Sequence, residues 1–245
     1  MKTIIFAILI VIQPALLAQT SDSTIVIHLK GQAEFIVSDS LGRKTGFDPI
    51  IGQDYEEIPF SSHGTGGVGS EDPNYPSIEY SEFVVDRPDG KYTVEVTGVS
   101  SGKFELRGFF LRGRGNGREF FLIGAVAEGQ KVFYGITYGV DSFGEMSILK
   151  LVTPSTFRQD LENCYKLDLL GKKPLYVDLS HRVEKYEEWI QKGDTVKSRE
   201  ELRKLEKKLD EVYDKTKGPS KDPNHFITED AYRILKEDVL GLRTK

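Results

Sequence analysis

The sequence is poor in the residues on which many kinds of site chemistry depend. It has a single cysteine, Cys164, so no intramolecular disulfide can form and no Cys-x-x-Cys metal or redox pair exists. Its four histidines, His28, His63, His181 and His225, never stand at helical metal-ligand spacing, and no His-Glu-x-x-His or phosphate-loop stretch occurs. An excess of positive charge is also missing. The formal net charge is -5, which argues against a nucleic-acid or anionic-membrane partner. Only one long apolar run is present, Ile4 to Ile12; it is broken by Gln13 and Pro14 and falls short of the ~20 residues that span a bilayer, so no stable membrane insertion is expected.

What is there begins with an export pattern. Lys2 supplies a positive start, Ile4 to Ile12 an apolar core, and Ala15-Leu16-Leu17-Ala18 a small-residue cleavage site, so residues 1–18 read as a signal peptide. The expected location is secreted or periplasmic, with cleavage near Ala18. The remaining chain changes character near Thr153. A Gly-rich and aromatic-rich segment, 19–153, gives way to a Lys/Glu/Leu-rich segment, 154–245, and this predicts two modules.

In the first module apolar residues recur at period two, which puts them on one face of a strand. Tyr92, Val94 and Val96 alternate with Thr93, Glu95 and Thr97, and Val132, Tyr134, Ile136 and Tyr138 follow the same rule. Further strands are predicted at 24–29, 33–38, 80–85, 104–106, 118–126 and 146–152. Pro88-Asp89-Gly90, Ser100-Ser101-Gly102 and Glu128-Gly129-Gln130 read as hairpin turns, and Gly108 as a β-bulge that shifts the apolar phase from Leu106 to Phe109 and Leu111. Seven or eight short strands without intervening helices predict an antiparallel β-sandwich or partly closed barrel.

Three loops of this module are candidate sites. His63-Gly64-Thr65-Gly66-Gly67 is similar to the glycine-rich oxyanion loop of lipases, but the Gly-x-Ser-x-Gly elbow which that chemistry requires is missing, so a mobile surface loop is expected. Arg112-Gly113-Arg114-Gly115-Asn116-Gly117-Arg118 can present three guanidinium groups, making Arg112, Arg114 and Arg118 candidates for contact with an anion or polysaccharide. The chain continues from it into a strand rather than a helix, which removes dinucleotide binding and leaves a hairpin tip as the simpler reading. The acidic stretch from 39 to 72 offers Asp39, Asp48, Asp54, Glu71 and Asp72 as candidate calcium ligands, with Glu56 and Glu57 beside them. No contiguous calcium-loop pattern is present, so solvated loop charge is the favoured reading and calcium the one cofactor to test.

The second module carries helical periodicity. Phe157, Leu161 and Cys164 or Tyr165 form one seam, Leu175, Leu179, Val183, Tyr186 and Ile190 a second, Leu202, Leu205, Leu209 and Val212 a third, and Ala231, Leu235, Val239 and Leu242 a fourth. Thr153-Pro154 is a good helix start, Ser198 and Glu201 fit a capping box, and the last helix is expected to begin at Thr228. Four such stripes predict a small C-terminal helical bundle, and hence an α+β chain of two modules.

Two resemblances follow from these residues. Tyr176-x-x-Leu179-x-x-x-Val183, Gly193-Asp194, the seam Leu202 to Val212, and Phe226-Ile227-x-x-x-Ala231-Tyr232-x-x-Leu235 with Asp238 resemble C-terminal helical modules of the FIMAH type in secreted bacterial proteins. Asp39-Ser40-Leu41-Gly42-Arg43-Lys44-Thr45-Gly46-Phe47-Asp48-Pro49 resembles a Gly-Arg-Arg-Thr-Gly-x-Asp-Pro turn in accessory sandwich segments, with Lys44 in place of one Arg. Both resemblances imply an exported accessory or recognition protein and supply no catalytic residues. The expected function is therefore non-catalytic binding, recognition or assembly with a protein or polysaccharide outside the cytoplasm. The alternative is a carboxylate-based hydrolase, which needs two carboxyl groups facing each other across a cleft.

Overall fold

A computed structural model describes residues 23–68, 78–86, 88, 90–112, 116–139, 146–217, 222 and 224–243. The export segment 1–18 lies outside the described residues. Eleven strands and four helices are formed among them. The strands are β1 Ser23–Gly31, β2 Ala33–Asp39, β3 Lys44–Asp48, β4 Gln53–Glu56, β5 Ser61–Val68, β6 Ile78–Asp86, β7 Gly90–Gly98, β8 Gly102–Arg112, β9 Asn116–Val126, β10 Lys131–Tyr138 and β11 Met146–Lys150. The helices are α1 Pro154–Lys166, α2 Lys173–Gln191, α3 Thr195–Thr216 and α4 Glu229–Arg243.

The strands form two antiparallel sheets, in the order β5-β6-β1-β8-β9 and β11-β10-β7-β2-β3-β4. This is a sandwich; the sheets do not close into a barrel. Its interior is made by the alternation that the sequence displays: Ile25, Ile27 and Leu29 of β1 face Phe35 and Val37 of β2, Val94 and Val96 of β7, and Tyr134 and Ile136 of β10 in one buried cluster. Burying each such side chain stabilises the fold by roughly 1.5–3 kcal/mol, which is what holds the sheets face to face.

Several expectations are corrected. The turns at Pro88 to Gly90, Ser100 to Gly102 and Glu128 to Gln130 do not close hairpins. They carry the chain across from one sheet to the other, because β6, β8 and β9 belong to the first sheet and β7 and β10 to the second. Period-two patterning fixes which face of a strand is buried but says nothing about which sheet it joins. No bulge forms at Gly108. Leu106, Gly108 and Phe110 stay on the inner face in unbroken register with β1 and β9, and Phe109 and Leu111 point outward. A Cβ on Gly108 would lie 2.2 Å from the Phe120 ring, so the glycine makes room for an aromatic packed on it. The 39–72 stretch is not one irregular loop, and His63 to Gly67 is not a mobile one: β3, β4 and most of β5 fall within it.

The helices stand mostly as their seams predict, with Phe157, Leu161, Cys164, Leu179, Leu205, Leu235 and Val239 in a second buried cluster. Ile190 is the exception and is exposed. α3 begins earlier than expected, capped by the Asp194 carboxylate, which accepts the Lys197 N–H at 2.9 Å, while Ser198 is already buried inside the helix. The turn from strand to helix does fall at Thr153, whose hydroxyl accepts the Thr156 N–H at 3.1 Å in a reciprocal capping box.

The second cluster is not purely helical. It includes Ala125 of β9 and Val152, and Ile123 packs against it. β9 is the edge of one sheet and β11 the edge of the other, and α1 and α4 lie against β9 while α4 also lies against β11. The helices thus close the side of the sandwich where two strand edges would otherwise be bare. Gly241 permits this approach, since a Cβ there would come within 2.5 Å of Val152 Cγ2 and 2.8 Å of the Lys150 carbonyl oxygen. No helix among the described residues is long and apolar enough to cross a membrane.

Candidate functional site

Of the acidic residues singled out from sequence, Asp39, Asp48 and Asp54 are described and are not brought together. Asp39 terminates β2, and its carboxylate accepts the Leu41 and Arg43 N–H groups at 2.9 and 3.0 Å and the Arg43 Nε–H at 2.7 Å. Burial by itself would raise that carboxyl, but the Arg43 guanidinium and these backbone donors outweigh it and hold it below the usual carboxylate range. Asp48, at the far end of β3, caps the next turn by accepting the Ile50 N–H at 2.9 Å. Asp54 pairs with Phe47 whereas Asp48 pairs with Gln53, so alternation sends Asp54 and Asp48 to opposite faces. Glu71 and Asp72 lie outside the described residues. Among the described residues no group of three or more His, Cys, Asp or Glu side chains converges as a metal ion requires.

The same contacts explain the Asp39 to Pro49 motif physically. Gly42 turns with φ 78° and Gly46 adopts φ 132° because a Cβ there would lie 2.4 Å from the Phe35 carbonyl oxygen. Thr45 is buried with its Oγ1 2.7 Å from Ser61 Oγ, tying β3 to the start of β5. Asp39, Gly42, Arg43, Thr45, Gly46 and Asp48 thus each have a turn or packing role. The arginine loop forms the β8–β9 hairpin: Arg118 is exposed on β9 opposite Phe110, Arg112 stands at the end of β8 opposite Asn116, and Arg114 lies outside the described residues.

Opposite the helix-covered side, the sandwich remains open. Two adjoining cavities of about 510 and 480 Å³ lie there and share Glu34 and Thr65. Their walls carry four carboxylates, Glu34, Asp54, Glu56 and Glu79, and none of the described lining residues is Lys or Arg. Glu34 accepts the Ser81 hydroxyl at 2.7 Å; Asp54 and Glu56 are exposed. His63 stands edge-on to Phe35 with ring centroids 5.6 Å apart, and its Nε2 has no hydrogen-bond partner. Tyr80 forms the outer lip. Its ring lies over Gly66, where a Cβ would meet Cε2 at 2.5 Å, is tilted by 33° against the His28 ring at a centroid distance of 4.5 Å, and also borders a separate cavity lined by Lys30, Glu105 and Arg107. His28 Nε2 is in turn 2.7 Å from Glu82 Oε2. This aromatic is packed from two sides beside a set of acceptors, and among the described residues no two of these carboxyls are buried together.

The strongest electrostatic feature is elsewhere, at the junction of sheet and helices. Lys150, at the end of β11, is 3% exposed; its Nζ donates to Asp160 Oδ2 of α1 at 2.7 Å and stands 2.6 Å from Asp238 Oδ1 of α4. Asp160 and Asp238 are 1% and 0% exposed. Burial pushes the Asp238 carboxyl well above the usual carboxylate range despite the attraction of Lys150. Burial alone would push Lys150 down, but the two aspartates override it and hold its ammonium charged. Burial also raises the neighbouring Tyr134 hydroxyl and the Cys164 thiol, so Cys164 is no thiolate nucleophile.

Sequence reading did not single out this cluster as a site, yet a signal exists. Asp160 follows Phe157 by three positions, Asp238 follows Leu235 by three and Ile234 by four, and Lys150 follows Ile148 by two, so each charge occupies the buried phase of its element. Comparison of the chain with protein-family models, curated proteins and solved structures returns no match.

Proposed function

We propose that the protein is an exported, non-catalytic recognition module whose ligand surface is the open side of the sandwich, and that its ligand is a polysaccharide. One observation carries this reading: four carboxylates line two adjoining cavities with no Lys or Arg among the described lining residues, beside a Tyr80 ring packed over Gly66 and against His28. Carboxylate acceptors suit hydroxyl and amino donors, and a fixed aromatic face suits the apolar face of a sugar ring. The uncompensated negative charge disfavours an anionic polymer. The export pattern at residues 1–18, and the resemblance of both halves to accessory parts of secreted bacterial proteins, support the same assignment.

Calorimetric titration of the protein with neutral, amino-sugar and uronic-acid polysaccharides tests it. Binding of a neutral or amino-sugar polymer with rejection of the uronic acid is the expected result. Binding only to the anionic polymer would move the ligand surface to Arg112, Arg114 and Arg118, and turnover of any of the three would replace recognition by the hydrolase reading.

A further inference from the structure

The Lys150, Asp160 and Asp238 cluster has the composition of an amide-forming centre as well as that of an ion pair. Three features coincide: an amine nitrogen, a carboxyl group whose burial favours its protonated form, and a second carboxylate able to take a proton from the amine. Nζ of Lys150 donates a well-aligned hydrogen bond of 2.7 Å to Asp160 Oδ2. Its 2.6 Å contact with Asp238 Oδ1 lacks hydrogen-bond alignment, and neither Asp238 oxygen has a hydrogen-bond partner. Nitrogen is thus aligned with the proton acceptor and pressed against the other carboxyl group without a bond that would satisfy it. All three side chains are sealed from solvent.

We propose that Lys150 and Asp238 condense into an intramolecular isopeptide bond, with Asp160 as the proton carrier. The ammonium of Lys150 gives a proton along its hydrogen bond to Asp160. The freed amine attacks Cγ of the protonated Asp238, forming the C–N bond, and Asp160 returns the proton to the departing hydroxyl, which leaves as water. The remaining excess proton on nitrogen passes to Asp160. Four protons enter the step, three on nitrogen and one on Asp238; one remains on the amide nitrogen, two leave in water and one ends on Asp160. No oxidant, metal or activated co-reactant is needed. Holding the reacting groups in contact replaces the improbable encounter that makes amide formation slow in solution. Exclusion of bulk water removes the mass action that would reverse it.

The bond would join the end of β11 to α4 and enclose α1, α2, α3 and most of α4 in one covalent loop. Such a loop constrains the unfolded chain as a disulfide does, in a chain whose single cysteine cannot form one internally. An amide also resists reduction.

Peptide mapping by mass spectrometry of the purified full chain, denatured before digestion, reads the bond directly. The expected result is a branched peptide containing Lys150 and Asp238, lighter by one water than its two linear parts, with trypsin failing to cut after Lys150. Linear peptides alone, each at full mass, would overturn the proposal whatever the fold of any variant. A branch on Asp160 instead of Asp238 would overturn the assigned acceptor. Asp160→Asn, which keeps the side chain's size and removes its proton-carrying capacity, is expected to abolish the Lys150 to Asp238 branch; its full retention would overturn the role given to Asp160.

Discussion

The two long sides of this sandwich solve the same problem in opposite ways. At the β9 and β11 side, helices α1 and α4 cover both strand edges, and the seam between them encloses Lys150, Asp160 and Asp238. At the β4 and β5 side no described helix covers the cavities, and the charges that line them are carboxylates, exposed at Asp54, Glu56 and Glu79, with no Lys or Arg among the described lining residues. The first side has opposite charges in contact and buried; the second has like charges and access to solvent. Taking an ion out of water costs several kcal/mol even after relaxation, so the closed side can keep its charges only by pairing them. The open side leaves solvation in place and its acceptors free for a ligand.

The comparison breaks most readily at Lys150. Lys150→Ala leaves two carboxyl groups facing each other in a dry seam and is expected to lower stability by about 3–5 kcal/mol through the ion cluster alone, read as a fall in the urea midpoint at unchanged slope. Replacing all three residues by apolar ones of similar volume, Lys150→Met with Asp160→Leu and Asp238→Leu, is expected to restore most of that loss. If the single and triple variants are equally unstable, the seam depends on shape rather than on charge pairing.

A smaller effect is expected at Gly241, where α4 touches the Lys150 to Val152 segment. Gly241→Ala favours the helix locally by up to about 1 kcal/mol but places a Cβ 2.5 Å from Val152 Cγ2 and 2.8 Å from a backbone oxygen, and overpacking of that kind costs about 1–3 kcal/mol. A net loss of thermal stability is therefore predicted. A gain would mean that α4 can lift from β11 freely and that the closed side is a looser joint than its geometry implies.

How much of this was legible in the sequence can be judged element by element. The strands with clean alternation, such as Tyr92 to Val96 and Val132 to Tyr138, and the four helical seams were readable because burial repeats with a period set by backbone geometry. β3, β4 and β5 were not, since Thr45, Gly46, Gln53 and the Ser61 to Gly67 stretch are polar or lack a side chain, and their strand state comes from pairing of β3 with β2, β4 with β3 and β5 with β6. The sheet to which each strand belongs was equally hidden, which is why three inter-sheet corners read as hairpins. The open side was not legible as a unit because its carboxylates come from three strands, Glu34 from β2, Asp54 and Glu56 from β4 and Glu79 from β6. The closed side's charges were visible as polar residues in apolar phase, a pattern that amphipathic averaging hides.

Asp39 sharpens the contrast by separating a structural carboxylate from the ligand-lining ones. Its carboxyl is held below the ordinary range in the folded protein, so its contribution is complete above the unfolded value near pH ~4 and is lost as pH falls through the folded value. Asp39→Asn is expected to cost about 1 kcal/mol at neutral pH and to flatten the acid limb of the stability profile measured by urea unfolding. An unchanged acid limb would show that the turn, not the ion pair with Arg43, sets the stability of that hairpin.

The smallest effect on folding and the most telling one for function belongs to Tyr80. The ring stands at the lip of the open side, half-buried, and is steadied by His28 and by the bare backbone of Gly66. Tyr80→Ala removes a platform from the cavity margin and leaves both sandwich interiors untouched, so stability is expected to change by no more than about 1 kcal/mol. Affinity for the polysaccharide identified by titration is expected to fall at least about tenfold, since a fixed ring that enters no core has its energetic role in the complex. Gly66→Ala supplies the finer probe: the added methyl must displace the ring from its resting place while keeping the ring itself. A loss of affinity in both variants, with the folded state intact by circular dichroism, ties recognition to the orientation of Tyr80. Loss in Tyr80→Ala alone would mean that the ring matters but its stacking does not, and no loss in either would move the binding surface off the open side altogether.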